Sequence, residues 1–571
     1  MSPVYTQGEG WGGVKTRNYF IWNDKLMTTP ANHNIALALS EMADHQPERT
    51  ALIARDGRRW NFRELDAHVS AYAHGLAQLG VGGHDRVALM VPPSPEFIAL
   101  AFALFRLKAP VILIDPGMGY RNLLRCLAGV GPTVFIGSPK ANIFRRLNPA
   151  TFASVRQAIC VGTGLGLLGR NLQRVADYRR GPFATPLTDA DDLAAIIFTT
   201  GSTGPPKGVR YRHGVFQAQL RLIRDYYGIT PDDLDQPAFP LFGLFATALG
   251  AAAVFPEMDP SRPARVDPAR FIKSIREQRA TYSFGSPAIW NVVSKYCLAK
   301  SIVLDSLRLV LMAGAPVSGE LIDRVRRILP EGAVIHTPYG ATEALPVASI
   351  TGAEILAETW PQTRTGAGVC VGQPLPGNTV KIIKTSDTVL AHWAAVAELL
   401  PREIGEIVVS GPVVTEGYEQ NDRENALAKI ADGSAVWHRM GDLGYLDEQG
   451  RLWFCGRRAH RVVTAWGEMY TIPCEAIFNE HPAVYRSALV GVRRPGQSCQ
   501  TPVLIVEPKR KVDEAVLTAE LRQFALANPL TESIGDFLIH PAFPVDIRHN
   551  AKIFREKLAV WATEKLARVE K

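Results

Sequence analysis

The sequence predicts an α/β protein: a large N-terminal domain of doubly wound α/β layers with a β-rich subdomain, then a small, mobile α+β C-terminal domain. Three observations carry this. Short apolar runs alternate with helical periodicity and feed loops rich in Gly, Ser or Thr, the pattern of stacked parallel layers. Beyond Thr379 the texture changes to β runs separated by turns. At 571 residues the chain exceeds what one hydrophobic core usually supports. The expected boundary gives a large domain over 1–458 and a small lid domain over 459–571.

The elements follow in order. After a polar lead, 50–60 reads as a hairpin, because Asp56-Gly57 between two strand-like runs favours a tight turn. From Asn61 the apolar residues Phe62, Leu65, Val69, Tyr72, Leu76 and Leu79 recur every three to four positions and stop at Gly80, a helix with a glycine end. A strand over 86–91, a helix over 95–107 and a strand over 110–114 make a βαβ unit. Apolar runs at 193–198, 307–312 and 333–336 repeat the pattern. The uncharged stretch 238–256 approaches bilayer-spanning length, but Pro240, Gly243, Gly250 and Pro256 make it a buried helix between turns. β runs are expected at 380–384, 405–410 and 444–454.

Composition narrows the function. With 63 Lys+Arg against 55 Asp+Glu the net charge is +8, and no basic block dominates, so nucleic acid is not an expected partner. Disorder and disulfide scaffolds are excluded by 47% hydrophobic residues and by seven scattered cysteines without a C-x-x-C pair, which read as structural thiols. The N-terminal residues lack the basic and apolar regions of a signal peptide, so a cytoplasmic location is expected.

The chemistry concentrates in Phe198-Thr-Thr-Gly-Ser-Thr-Gly-Pro-Pro-Lys-Gly-Val209, directly after a buried strand. Backbone N–H groups of Gly201 and Gly204, the hydroxyls of Thr199, Thr200, Ser202 and Thr203, and the Lys207 ammonium can cradle a polyphosphate. It is not a Walker A loop, because Pro206 precedes Lys207 and Gly208 follows it.

With Gly314-Ala315-Pro316, Tyr339-Gly340-Ala341-Thr342-Glu343, Gly441-Asp442-Leu443-Gly444, Gly456-Arg457 and the stretch 544–555 around Lys552, the chain resembles the adenylate-forming superfamily from about residue 35 onward. The resemblance implies ATP and Mg²⁺ as cofactors. It implies that the 198–209 loop holds the β- and γ-phosphates, that 314–316 lies beside adenine and that Tyr339 stacks on it. It further implies that Thr342 contacts the α-phosphate, Glu343 helps hold Mg²⁺, Asp442 grips the ribose hydroxyls, Arg457 supports ribose and phosphate, and Lys552 neutralises charge as the acyl-adenylate forms.

Some positions depart from the superfamily. Ala459 and His460 stand where a charged hinge residue is common, Ala551 replaces the glycine before the lysine, and Phe242 stands where acyl-CoA synthetases often carry histidine. The stretch 467–475, with Pro473 and Glu475, runs one residue long. With the insert 387–400, these features are most similar to the olefin β-lactone synthetases of bacterial long-chain hydrocarbon biosynthesis. That resemblance implies a long-chain 2-alkyl-3-hydroxy acid as substrate and a thiolase, a reductase and a β-lactone decarboxylase as fellow enzymes. Phe242 and Phe245, within 239–255, are the expected acyl tunnel. His336 and His460 are the candidate bases by position. A long-chain fatty acyl-CoA ligase and a non-catalytic nucleotide or acyl-chain binding module remain the alternatives.

Overall fold

A computed structural model describes residues 32–164, 166–198, 205–494, 496–545 and 553–569. The hairpin forms as expected, Thr50–Ile53 pairing antiparallel with Arg59–Asn61. Asn61 then starts the Phe62–Gln78 helix with a capping box closed by Glu64, satisfying donors that a helix start leaves orphaned. The Pro95–Arg106 helix is buried along nearly its whole length. Its Arg106 is buried too; Asp66, Ser70 and Ser40 take its guanidinium.

Two large sheets result. The first orders its strands 170–171, 157–160, 134–137, 87–90, 111–113, 193–198 and 208–212, all parallel except the last. The second has 14 strands and a parallel centre running 50–53, 252–254, 234–237, 282–285, 309–312, 334–341. The β-rich part continues this second sheet. Strand Val369–Pro374 pairs with Ala344–Thr351 on one side and with Leu452–Arg457 on the other. A left-handed Gly372 permits that double pairing, since a Cβ there would lie 1.9 Å from the Ser349 carbonyl oxygen. The stretch 238–256 divides into the helix Pro240–Ala248 and the short strand Ala252–Val254.

After Arg458 the chain builds its own three-stranded sheet from Val484–Val492, Thr501–Pro508 and Asp536–Ile539, with a core around Phe478, Leu489, Leu504 and Leu521. Among the described residues no helix is long and apolar enough to cross a membrane. All seven cysteines are free, six of them buried.

Candidate active site

Parallel strands in register bring their C-terminal ends to one line. Gly285 lies opposite Met312, and Leu311 opposite His336, so the turn after Met312 and the end of the next strand are neighbours. They open into a cavity of about 1530 Å³, roofed by residues after Arg458 that include Ala459, His460, Thr471 and Phe554. Gly314, Ala315, Pro316, Tyr339, Gly340, Thr342, Glu343, Asp442, Arg457, Lys207, Phe242 and Phe245 all line it. Thr199, Thr200, Gly201, Ser202, Thr203, Gly204 and Lys552 lie outside the described residues; the flanking Phe198, Pro205, Val545 and Ile553 line the cavity.

Local backbone explains two of these positions. Gly314 turns the chain in the left-handed region directly after a strand. The Tyr339 motif was expected to be a loop, but the strand runs on to Ala341 and pairs back through Ala344, leaving Thr342-Glu343 as the tip of a tight hairpin. Gly340 allows the return, because a Cβ would meet the Ala344 carbonyl oxygen at 2.6 Å.

One end of the cavity is a set of tied charges. Hairpin register places Asp442 opposite Arg457, and their side chains pair at 2.9 Å. The Tyr339 hydroxyl donates to the other Asp442 oxygen at 2.7 Å. Asp442 raises the Arg457 pKa against the opposing effect of burial. The Tyr418 hydroxyl donates to Glu343 at 2.9 Å, and burial followed by the Glu343 charge keeps that phenol protonated. Lys207 pairs with Glu424 and lies over the Tyr418 ring at 4.9 Å.

Beside them, burial pushes Lys429 down to about 7, against Glu343 and Glu416, which favour its charge. His438, on the same strand as Asp442, is held well below the usual imidazole range by burial and by Lys429 and Lys207. Sequence reasoning missed Tyr418, Glu424, Lys429 and His438. Only His438, four residues before Asp442 on one strand, carried a readable signal.

The other end is apolar. Phe242 stacks on Phe284 with centroids 3.7 Å apart and meets Phe245 edge-on at 5.7 Å. Phe239, Ala246 and Leu249 extend this wall, whereas Phe255 packs into the core and does not line the cavity. The facing wall, Gln219 and Ile223 at helical spacing on His213–Tyr227, was not anticipated.

Both candidate bases fare poorly. His336 is not on the cavity wall; its ring packs edge-on against Tyr226 and Tyr227. His460 lines the cavity, but burial, Arg555 and Arg457 push it down to about 3, a weak base.

Residues 39–419 match the model of the AMP-binding enzyme family. The chain belongs to that family. It is also 45% identical to the olefin beta-lactone synthetase of Xanthomonas campestris pv. campestris over 93% of this chain and 98% of the relative. The enzyme of that name from Stenotrophomonas maltophilia matches at 45%, with the same shares covered. Among solved structures, the amide bond synthetase McbA from Marinactinospora thermotolerans superposes with a TM-score of 0.78 at 22% identity, covering 93% of this chain and 99% of that one.

Like other AMP-binding enzymes, the chain has an ATP-dependent ligase architecture. The family match stops before Asp442, yet the structure ties Asp442 to Tyr339 inside the matched region. Glu475, in the stretch that runs one residue long, is fully buried and anchors the start of the last helix through Arg555, at 3.0 Å and 2.5 Å.

Proposed function

We propose that this chain is an ATP-dependent, AMP-forming olefin β-lactone synthetase acting on a long-chain 2-alkyl-3-hydroxy acid. One observation carries the reading: a single cavity joins the tied charges around Asp442 and Glu343 to the apolar wall of Phe242 and Phe245. The 45% identical relatives of that name support it.

The carboxylate attacks the α-phosphate of ATP and pyrophosphate leaves. The 3-hydroxyl then attacks the activated carbonyl, expels AMP and closes the four-membered ring. Asp442, held by Arg457 and Tyr339, presents acceptors to the ribose hydroxyls. Lys207 offsets phosphate charge, and Lys552 meets the charge that builds on the pentavalent phosphorus.

Glu343, a carboxylate on the cavity wall that accepts from Tyr418, would hold Mg²⁺, an ion commonly bound by one or two carboxylates plus phosphates. When bound, it neutralises phosphate charge. The apolar wall aligns the hydroxyl with the carbonyl, and such alignment is worth on the order of 7–11 kcal/mol. The roof over 459–571 keeps water from the adenylate.

The alternative, acyl-CoA ligation, calls for a second orientation of the small domain about the hinge. Asp387, in the insert, pairs with Arg461 at 2.6 Å, and the Ser386 carbonyl accepts from Arg458, so the insert meets the residues that follow Arg457. The test is to incubate the protein with MgATP and a long-chain 2-alkyl-3-hydroxy acid, with and without CoA, and identify products by NMR. A β-lactone with AMP in the absence of CoA is expected; a thioester formed only with CoA would overturn the reading in favour of an acyl-CoA ligase.

A further inference from the structure

Two carboxylates share one face of strand Leu234–Pro237 and the turn before it, and they are treated oppositely. Asp233 accepts from Arg308 at 2.6 Å and 2.8 Å, from Thr281 at 2.7 Å and from the Thr230 N–H at 2.8 Å. Asp235 is 1% exposed, and neither carboxyl oxygen has a hydrogen-bond partner among the described residues. The period of two puts the next residue on the other side: Gln236 points away and donates to Phe271 and Ser274. Buried polar groups are almost always partnered, so an orphaned carboxyl needs a reason.

The reason lies in what Asp235 faces. It lines the substrate cavity, with Ile223, Tyr227, Ala246, Leu249 and Tyr282 as neighbours on the wall. Burial and the nearby Asp233 hold it well above the usual carboxylate range, so it stands as a neutral acid that offers one donor and one acceptor. Gln219 lines the same cavity with its Oε1 unpartnered, while its amide donates to the Leu345 carbonyl at 2.9 Å.

Depth separates this group from the reacting atoms. Asp235 is level with Tyr282 and Leu309 in register, and the strand runs three residues further, to Met312, before the turn at Gly314. At about 3.3 Å per residue that is ~10 Å, well beyond the ~3 Å reach of proton transfer to the ring-closing hydroxyl.

We propose that Asp235 is a specificity-determining residue at the deep end of the acyl chamber, where its carboxyl hydrogen-bonds a hydroxyl carried along one alkyl branch of the substrate. This rests on the acid-activating reading above and adds to it a third oxygen on the acid. A hydroxyl matches the site because it both donates and accepts, as a neutral carboxyl does.

The test measures kcat/KM for pyrophosphate release with 2-alkyl-3-hydroxy acids in which an extra hydroxyl is walked along one branch, against the unsubstituted acid. Wild type should prefer one hydroxyl position by roughly 10- to 100-fold. Asp235→Asn should keep that preference, and Asp235→Leu should abolish it. Equal kcat/KM at every position in wild type would overturn the proposal and mean that the carboxyl binds water only. An equal loss on both acids in Asp235→Leu, with the wild-type preference absent, would assign it a purely structural role. Should Asp235→Leu fail to fold, the wild-type preference and Asp235→Asn still decide. No pyrophosphate release with any acid would instead defeat the functional reading itself.

Discussion

The two ends of the cavity solve opposite problems. At the nucleotide end Asp442 is tied to Arg457 and Tyr339, Glu343 to Tyr418 and Lys207 to Glu424. At the acyl end stacked Phe242 and Phe284 make an apolar wall, and the Asp235 carboxyl stands deep in it with no hydrogen-bond partner among the described residues. Fixed charges that cost no reorganisation suit the transfer of a phosphoryl-linked group. An apolar wall whose few polar points include an unpartnered carboxyl suits selection among chains that differ by one oxygen. The difference teaches that rate should be sensitive to changes at the first end and substrate choice to changes at the second.

The comparison can be broken most directly at Lys552. Lys552→Ala should lower pyrophosphate release by roughly 10²- to 10³-fold, as loss of one transition-state donor does, while ATP affinity changes little. Unchanged release would remove Lys552 from the mechanism. Asp442→Ala leaves the half-buried Arg457 without its carboxylate; ATP affinity should fall by roughly 10- to 100-fold, with a lower melting temperature. Equal nucleotide affinity by titration calorimetry would contradict its role at the ribose.

At the acyl end, Phe242→Ala removes the stack on Phe284. KM for long-chain acids should rise about fivefold with ATP affinity unmoved, since the loss is of the order of 1 kcal/mol in stacking. A matching loss in ATP affinity would mean that the two ends are not separable.

Lys429 sharpens the comparison through pH. Its folded pKa of about 7 lies below the ~10.4 of a free lysine, so between those values the unfolded chain binds the extra proton. Stability from this site therefore rises as pH climbs through 7 towards 10, and the burial penalty is largest at lower pH. Lys429→Met should raise the melting temperature more at pH 6 than at pH 9; equal shifts at both would show that the ammonium is not penalised. Asp387→Ala, which removes an exposed ion pair, should cost no more than about 1 kcal/mol and leave adenylate formation intact.

How far the sequence reveals all this depends on whether the chemistry is local. The Tyr339 and Asp442 motifs were legible as candidate site residues because each carries its chemistry within a few residues, whereas the hairpin and the strand that hold them were not. The βαβ unit was legible because its apolar runs are continuous. The joining of the β-rich part to the second sheet was not, because the apolar run of Val369–Pro374 is only three residues long and its pairing depends on the irregularity at Gly372. His336 was a candidate base by position only, with a structural histidine as the stronger reading, and the alternation of its strand sends the ring to Tyr226 and Tyr227. Asp235 was illegible for the converse reason: only the tertiary fold shows that Arg308 goes to Asp233 and leaves Asp235 alone.

The order of bond making is the central claim, and oxygen labelling tests it most directly. With ¹⁸O in the carboxylate of a 2-alkyl-3-hydroxy acid, mass spectrometry should find one labelled oxygen in AMP and one in the lactone carbonyl, the ring oxygen coming unlabelled from the 3-hydroxyl. Label in the ring oxygen, with AMP unlabelled, would mean that the hydroxyl is activated instead and would contradict the acyl-adenylate.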